Sequence, residues 1–136
     1  MPGTKFVWPV HPAMKPLVTT LTIPANVFLT DPLSYDNFLT LLASARGLMT
    51  DSGGAVEEAA TLGIPTAILR DANDRPEAER AGIARAVPLT HSQQAVPLVL
   101  SDVLSRTPSE AFGDRKSADR IAEHLAGLLA KGYFGT

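Results

Sequence analysis

The stretch MTDSGGAVEEAATLGIPTAILRD, residues Met49 to Asp71, carries a turn, a helix, a second turn and a strand in immediate succession. Val56, Ala59, Ala60 and Gly63 fall on one face of a helix, while Glu57, Glu58 and Thr61 fall on the other. Gly63-Ile64-Pro65 ends that helix, because glycine accepts the left-handed backbone of a helix terminus and proline cannot continue one. PTAIL (65–69) then reads as a short, continuously apolar strand, and GLMT (47–50) as another just before the Ser-Gly-Gly turn. Strands apolar throughout belong to a parallel sheet covered on both faces.

The same alternation extends in both directions. KFVWPV (5–10), NVFLT (26–30) and ARAVPL (84–89) supply three more candidate strands. Tyr35, Phe38, Leu39, Leu42 and Ala45 make one helical stripe after Asp31-Pro32, and Gly47 stops it. Ser92 to Ser105 reads as a helix in which Pro97 forces a kink or marks the true first turn. Ser117 to Lys131 reads as the last helix, with Ile121, Leu125, Leu128 and Leu129 in register. Strand and helix in turn give an α/β fold with a doubly wound parallel sheet. The segment RDANDRPEAERAG (70–82) reads as a charged loop at the carboxyl edge of the sheet, where ligands bind in such folds.

Composition narrows the function. With 136 residues, 45% of them hydrophobic, and a formal net charge of −2, the chain reads as one domain, 1–136, with a core of its own. It has no basic stripe for nucleic acid. It has no cysteine, which excludes disulfides, thiolate metal sites and thiol nucleophiles; His11, His91 and His124 lack metal-ligand spacing. No run approaches the roughly 18 apolar residues of a membrane helix, and the N-terminal segment lacks the apolar core of a signal peptide, so a cytoplasmic location is the expectation.

Ser-Gly-Gly is the chemical centre of the sequence. A helix N-terminus offers unpaired N–H groups and the positive end of a dipole, and glycines let an anion approach the backbone closely. Ser52, Gly53 and Gly54 would hold phosphate oxygens through their amides and the serine hydroxyl. A serine cap followed by a tight glycine turn fits the same residues. The glycine spacings of the dinucleotide fingerprint and of the P-loop are both absent, which leaves a nucleotide or nucleotide-sugar diphosphate. A carboxylate one turn into the helix could meet its hydroxyls. Glu57 reads as a solvated residue favourably placed in the helix dipole; for Glu58 that reading and hydroxyl binding stand level.

TDSGGAVEEAATLGIPTAILRDANDRPEAERAG resembles the TDSGGxQEEAxxLGxPxLxxRxxTERPExxxxG segment of the non-hydrolysing UDP-N-acetylglucosamine 2-epimerases. VWPVHPAMKPLV is similar to that family's PxHxNPxV, TDPLSYDNFLTLLASARGLMTDSGG to its PLxYxxFxxLxxxxxxxLTDSGG, and FGDRKSADRI to its YGDGxAxxRI. The segments follow the family order over most of the chain. The resemblance covers the C-terminal domain only, and implies the Rossmann-like half of a two-domain GT-B fold that holds the UDP part of the substrate. Carried over by position, it implies that Ser52, Gly53 and Gly54 bind the diphosphate, Glu58 the ribose hydroxyls, and Phe38 the uracil, while Arg75 reaches toward the ligand from the charged loop. Phe38 also sits in the helical apolar stripe, where core packing accounts for it more readily, and Arg75 is open to an ordinary surface ion pair.

The resemblance also implies the chemistry, epimerisation at carbon 2 by elimination of UDP and its re-addition on the other face, without a cofactor or a metal. It places the proton-transfer groups outside this segment, so no catalytic residue is expected in the chain and none of its histidines is assigned that role: His11 matches a histidine read as structural or near the cleft, His91 and His124 read as surface residues. The implied partners are UDP or UDP-N-acetylglucosamine and a separate N-terminal-domain chain; the stripe of Ile121, Leu125, Leu128 and Leu129 with Tyr133 and Phe134 adds the expectation of further copies of this chain. A non-catalytic nucleotide-sugar-binding module and a GT-B glycosyltransferase half are the alternatives. Departures from the pattern are NDRPE (73–77) for TERPE, Ile83 for a threonine, and Arg115 for a glycine.

Overall fold

The structure, a computed structural model, describes residues 3–114 and 116–133. It divides into two compact units, residues 1–41 and 42–136. In the first, strands β1 (Phe6–Pro9) and β2 (Val27–Thr30) pair in parallel, from Phe6 opposite Val27 to Pro9 opposite Thr30. Between them His11 caps a 3-10 turn (Pro12–Met14), its Nδ1 accepting from the Ala13 amide at 3.2 Å, and the chain continues into α1 (Lys15–Val18). Lys15 Nζ reaches Asp31 at 2.6 Å and holds that carboxyl below its ordinary range, through the hydrogen bond first and the charge second. Helix α2 (Tyr35–Ser44) follows, with the Phe38 amide donating to Ser34 O at 2.9 Å in its first turn.

The second unit contains β3 (Leu48–Thr50), α3 (Gly53–Leu62), β4 (Thr66–Ile68), α4 (Pro76–Arg80), β5 (Ala84–Ala86), α5 (Ala95–Leu100) and α6 (Ser117–Ala130). Its strands pair in parallel in the order β3-β4-β5. The central strand β4 is buried throughout, which is why its sequence is apolar but for Thr66, and that hydroxyl is satisfied by Ile64 O at 2.9 Å. Side chains alternate along a strand, so β4 feeds two cores. Ile68 packs with Val56, Ala60, Ala78, Ile83 and Ala84; Ala67 packs with Val87, Ala95 and Val99. Helices α3 and α4 thus contribute to one core and α5 to the other, the doubly wound arrangement expected from the apolar runs.

All five strands and the helices at α2, α3 and α6 lie where the sequence places them. The strands are joined in two sheets, β1-β2 and β3-β4-β5, rather than in one. The charged segment 70–82 is not all loop, because Pro76 and the acidic first turn start α4 inside it. The helix expected over 92–105 is shorter: a 3-10 turn (Leu89–Gln94) leads into α5, which ends at Leu100, and Pro97 stands in its first turn. Ile83, at the position of the family's threonine, is 1% exposed and belongs to the core. Arg115 and Phe134 lie outside the described residues.

Candidate functional site

The carboxyl end of β3 runs into α3 through Asp51 and Ser52. The Ser52 amide donates to Thr50 Oγ1 at 3.0 Å, which sets the turn. Ser52 is the N-cap, with extended backbone (φ −86°, ψ 120°); its hydroxyl oxygen accepts from the Ala55 amide at 3.5 Å and its carbonyl from the Val56 amide at 3.2 Å. Two of the first-turn donors are accounted for in this way. The amides of Gly53 and Gly54 have no hydrogen-bond partner among the described residues, so the helix end keeps donor capacity beside an exposed serine.

Arg75 stands next to this helix end. A methyl group on Gly53 would lie 3.1 Å from Arg75 Nη2 and 3.2 Å from Cζ, whereas one on Gly54 would meet nothing within 4 Å. The absence of a side chain at Gly53 is what lets the guanidinium come this close. Arg75 is the N-cap of α4, and Asn73 fixes its backbone from both sides: Oδ1 accepts from the Arg75 amide at 2.8 Å and Nδ2 donates to its carbonyl at 3.1 Å. The guanidinium Nε donates to Glu57 Oε1, and Nη1 donates to the Asp74 carbonyl at 3.0 Å. Among the described residues Nη2 makes no hydrogen bond. The hydrogen bond to Glu57 raises the arginine above its ordinary value, outweighing the opposing effect of desolvation; a guanidinium is a cation in any case.

The six candidate positions resolve differently. Ser52, Gly53, Gly54, Glu58 and Arg75 all stand in the second unit; Phe38, half-buried on α2, stands in the first. Glu58 is half-buried and has no hydrogen bond or ion pair among the described residues, leaving its carboxylate free for an outside donor. Glu57 corrects the sequence reading. It is an ion-pair partner of Arg75, 41% exposed at the side chain, and not a solvated bystander. Asn73, the first residue of NDRPE, makes an Asx turn onto the amide of Arg75 two residues on, a local signal that the asparagine itself carries. His11, His91 and His124 are exposed, and no group of three metal-ligating side chains occurs among the described residues.

The profile of the family described as UDP-N-acetylglucosamine 2-epimerase matches residues 2–126. A protein from Ralstonia solanacearum, described as a probable UDP-N-acetylglucosamine 2-epimerase, is 34% identical over 138 aligned residues that take in 95% of this chain and 37% of the relative. The UDP-N-acetylglucosamine 2-epimerase of Escherichia coli K12 is 36% identical over 89% of this chain and 35% of its own length. Among solved structures, the Methanocaldococcus jannaschii UDP-GlcNAc 2-epimerase in complex with UDP-GlcNAc and UDP superposes with a TM-score of 0.78 at 31% identity, covering 90% of this chain and 35% of that one. The Staphylococcus aureus MnaA–UDP co-structure gives 0.81 at 26% identity, covering 93% and 36%. The chain spans little more than a third of the length of these relatives. A profile match over nearly the whole chain, joined to the strand–Ser-Gly-Gly–helix geometry, decides the assignment: the chain belongs to the UDP-N-acetylglucosamine 2-epimerase family.

Proposed function

We propose that this chain forms the UDP-holding part of a UDP-N-acetylglucosamine 2-epimerase, an isomerase that interconverts UDP-GlcNAc and UDP-ManNAc by eliminating UDP and adding it back. The observation that carries the reading is the pair of amides at Gly53 and Gly54, unpartnered among the described residues, beside Nη2 of Arg75, which makes no hydrogen bond among them either. Three donors of this kind fit the oxygens of a diphosphate. In an elimination the diphosphate is the leaving group, so donors aimed at it stabilise charge as it develops and act in both directions of the reaction. Glu58 is assigned to the ribose hydroxyls, Phe38 to the uracil, and Ser52 adds its hydroxyl. The whole of residues 1–136 is taken as one UDP-binding domain working in the cytoplasm, and the groups that move the proton at carbon 2 are assigned to polypeptide outside this chain.

Calorimetric titration of the chain with UDP tests the assignment. Wild type is expected to bind UDP, and Gly53→Ala to bind it at least about tenfold more weakly, roughly 1.4 kcal/mol, because the added methyl displaces Arg75 and covers the approach to the amides. Circular dichroism melts verify that the variant is folded. Equal affinity in the two proteins would reduce Ser-Gly-Gly to a helix cap. Alone, the chain is expected to show no conversion of UDP-GlcNAc to UDP-ManNAc by NMR at high protein concentration. Turnover by this chain alone would overturn the assignment of proton transfer elsewhere.

A further inference from the structure

We propose that Glu57 is a positioning residue, which holds the Arg75 guanidinium against Gly53 with Nη2 turned to the open end of α3. The inference rests on the diphosphate reading above and names how that site is kept in shape. An arginine side chain has four rotatable bonds and loses rotamer entropy when it is fixed. Here the cost is met before any ligand arrives: Asn73 grips the Arg75 backbone, Glu57 takes Nε, and the Asp74 carbonyl takes Nη1. One arm of the fork is left over. It is Nη2, the guanidinium atom nearest the space over Gly53. A carboxylate close to an anion site opposes anion binding by its charge. The position of Glu57 is therefore informative: its contribution through Arg75 must exceed its own repulsion if it is a positioning residue, and the reverse holds if it is merely a neighbouring charge.

The experiment is a double-mutant cycle on UDP affinity in the full chain, with Arg75→Ala, Glu57→Ala and the double variant, and with uridine as a second probe that carries no phosphate. Arg75→Ala is expected to weaken UDP by tenfold or more, about one charge-assisted hydrogen bond. Glu57→Ala should weaken it by several-fold, and the double variant should bind as Arg75→Ala does, because Glu57 acts only through the arginine. Uridine affinity should be unchanged in all three. Glu57→Gln, whose amide oxygen still accepts from Nε, should restore most of the UDP affinity, which general loss of structure would not allow. If Arg75→Ala leaves UDP binding intact, the diphosphate reading fails, and this inference with it. If Arg75→Ala weakens UDP but Glu57→Ala binds as well as wild type or better, or if the two losses add, the diphosphate reading stands and the positioning role is overturned.

Discussion

Glu57 and Glu58 are adjacent, and their difference is a matter of about 100° around one helix. That rotation turns Glu57 to Arg75 and leaves Glu58 half-buried without a donor among the described residues. A carboxylate in that state is matched by hydroxyl donors from a ligand, and a ribose presents two. Glu58→Ala is therefore expected to lower UDP affinity by roughly tenfold and, more tellingly, to remove the preference for UDP over 2′-deoxy-UDP. Paired titrations of both nucleotides against both proteins measure this. A preference undiminished in the variant would take Glu58 off the ribose while leaving the diphosphate contacts in place.

At the scale of elements, α3 is fixed at both ends by glycines that do different work. At its start the glycines leave room for a guanidinium and leave amides uncovered. At its end Gly63 adopts φ +73°, with its N–H on Ala60 O at 3.2 Å and the next N–H, from Ile64, on Ala59 O at 2.8 Å, the paired bonds of a Schellman terminus. A methyl on Gly63 would also stand 2.7 Å from Pro108 N and 2.8 Å from Arg106 O, both backbone atoms that cannot swing aside. Gly63→Ala should thus cost more than the ~1–2 kcal/mol of the left-handed conformation alone, and lower the melting temperature by several degrees. Gly54→Ala, with open space around it and no positive φ, should melt as wild type does or slightly higher. Thermal melts of the two variants side by side give the comparison, and equal melting would show that Gly63 is under no constraint.

For the molecule as a whole, the notable surface is α6. Its N-terminal side is tied by Arg120 to Asp114 through 2.9 and 2.6 Å bonds, and Asp114 also accepts from the Lys116 amide at 3.2 Å. Yet none of its residues is buried, and Ile121, Leu125 and Leu129 are 59%, 44% and 61% exposed, with Tyr133 beyond them. An apolar stripe of this kind drives association when concentration allows. The chain is expected to self-associate at high concentration in sedimentation velocity, and Leu125→Glu to shift it toward monomer without lowering the melting temperature. A wild-type chain that stays monomeric at the highest concentration reached would count against the stripe as an association surface.

Much of this protein was written in the sequence. The strands announce themselves as short apolar runs between turn residues, although only β4 is buried at every position while β1 and β2 leave Val7, Trp8, Phe28 and Leu29 exposed, and the boundaries of α3 because Ser52 and Gly63 are the residue types that helix ends require. The Ser-Gly-Gly turn is legible for the same local reason, and the motifs around it gave the family. What lay beyond reach was set by contacts between distant segments. Helix α4 is five residues long, too short for a periodic pattern, and exists where Pro76 starts a turn that Ala78 anchors in the core. The division of five strands into two sheets depends on backbone pairing that no apolar run specifies. Glu57 and Arg75 are 18 positions apart, and nothing in either segment names the other. Only the packing of α3 beside α4 brings them together, and it turns a glutamate that reads as solvated into the residue that holds the arginine in place.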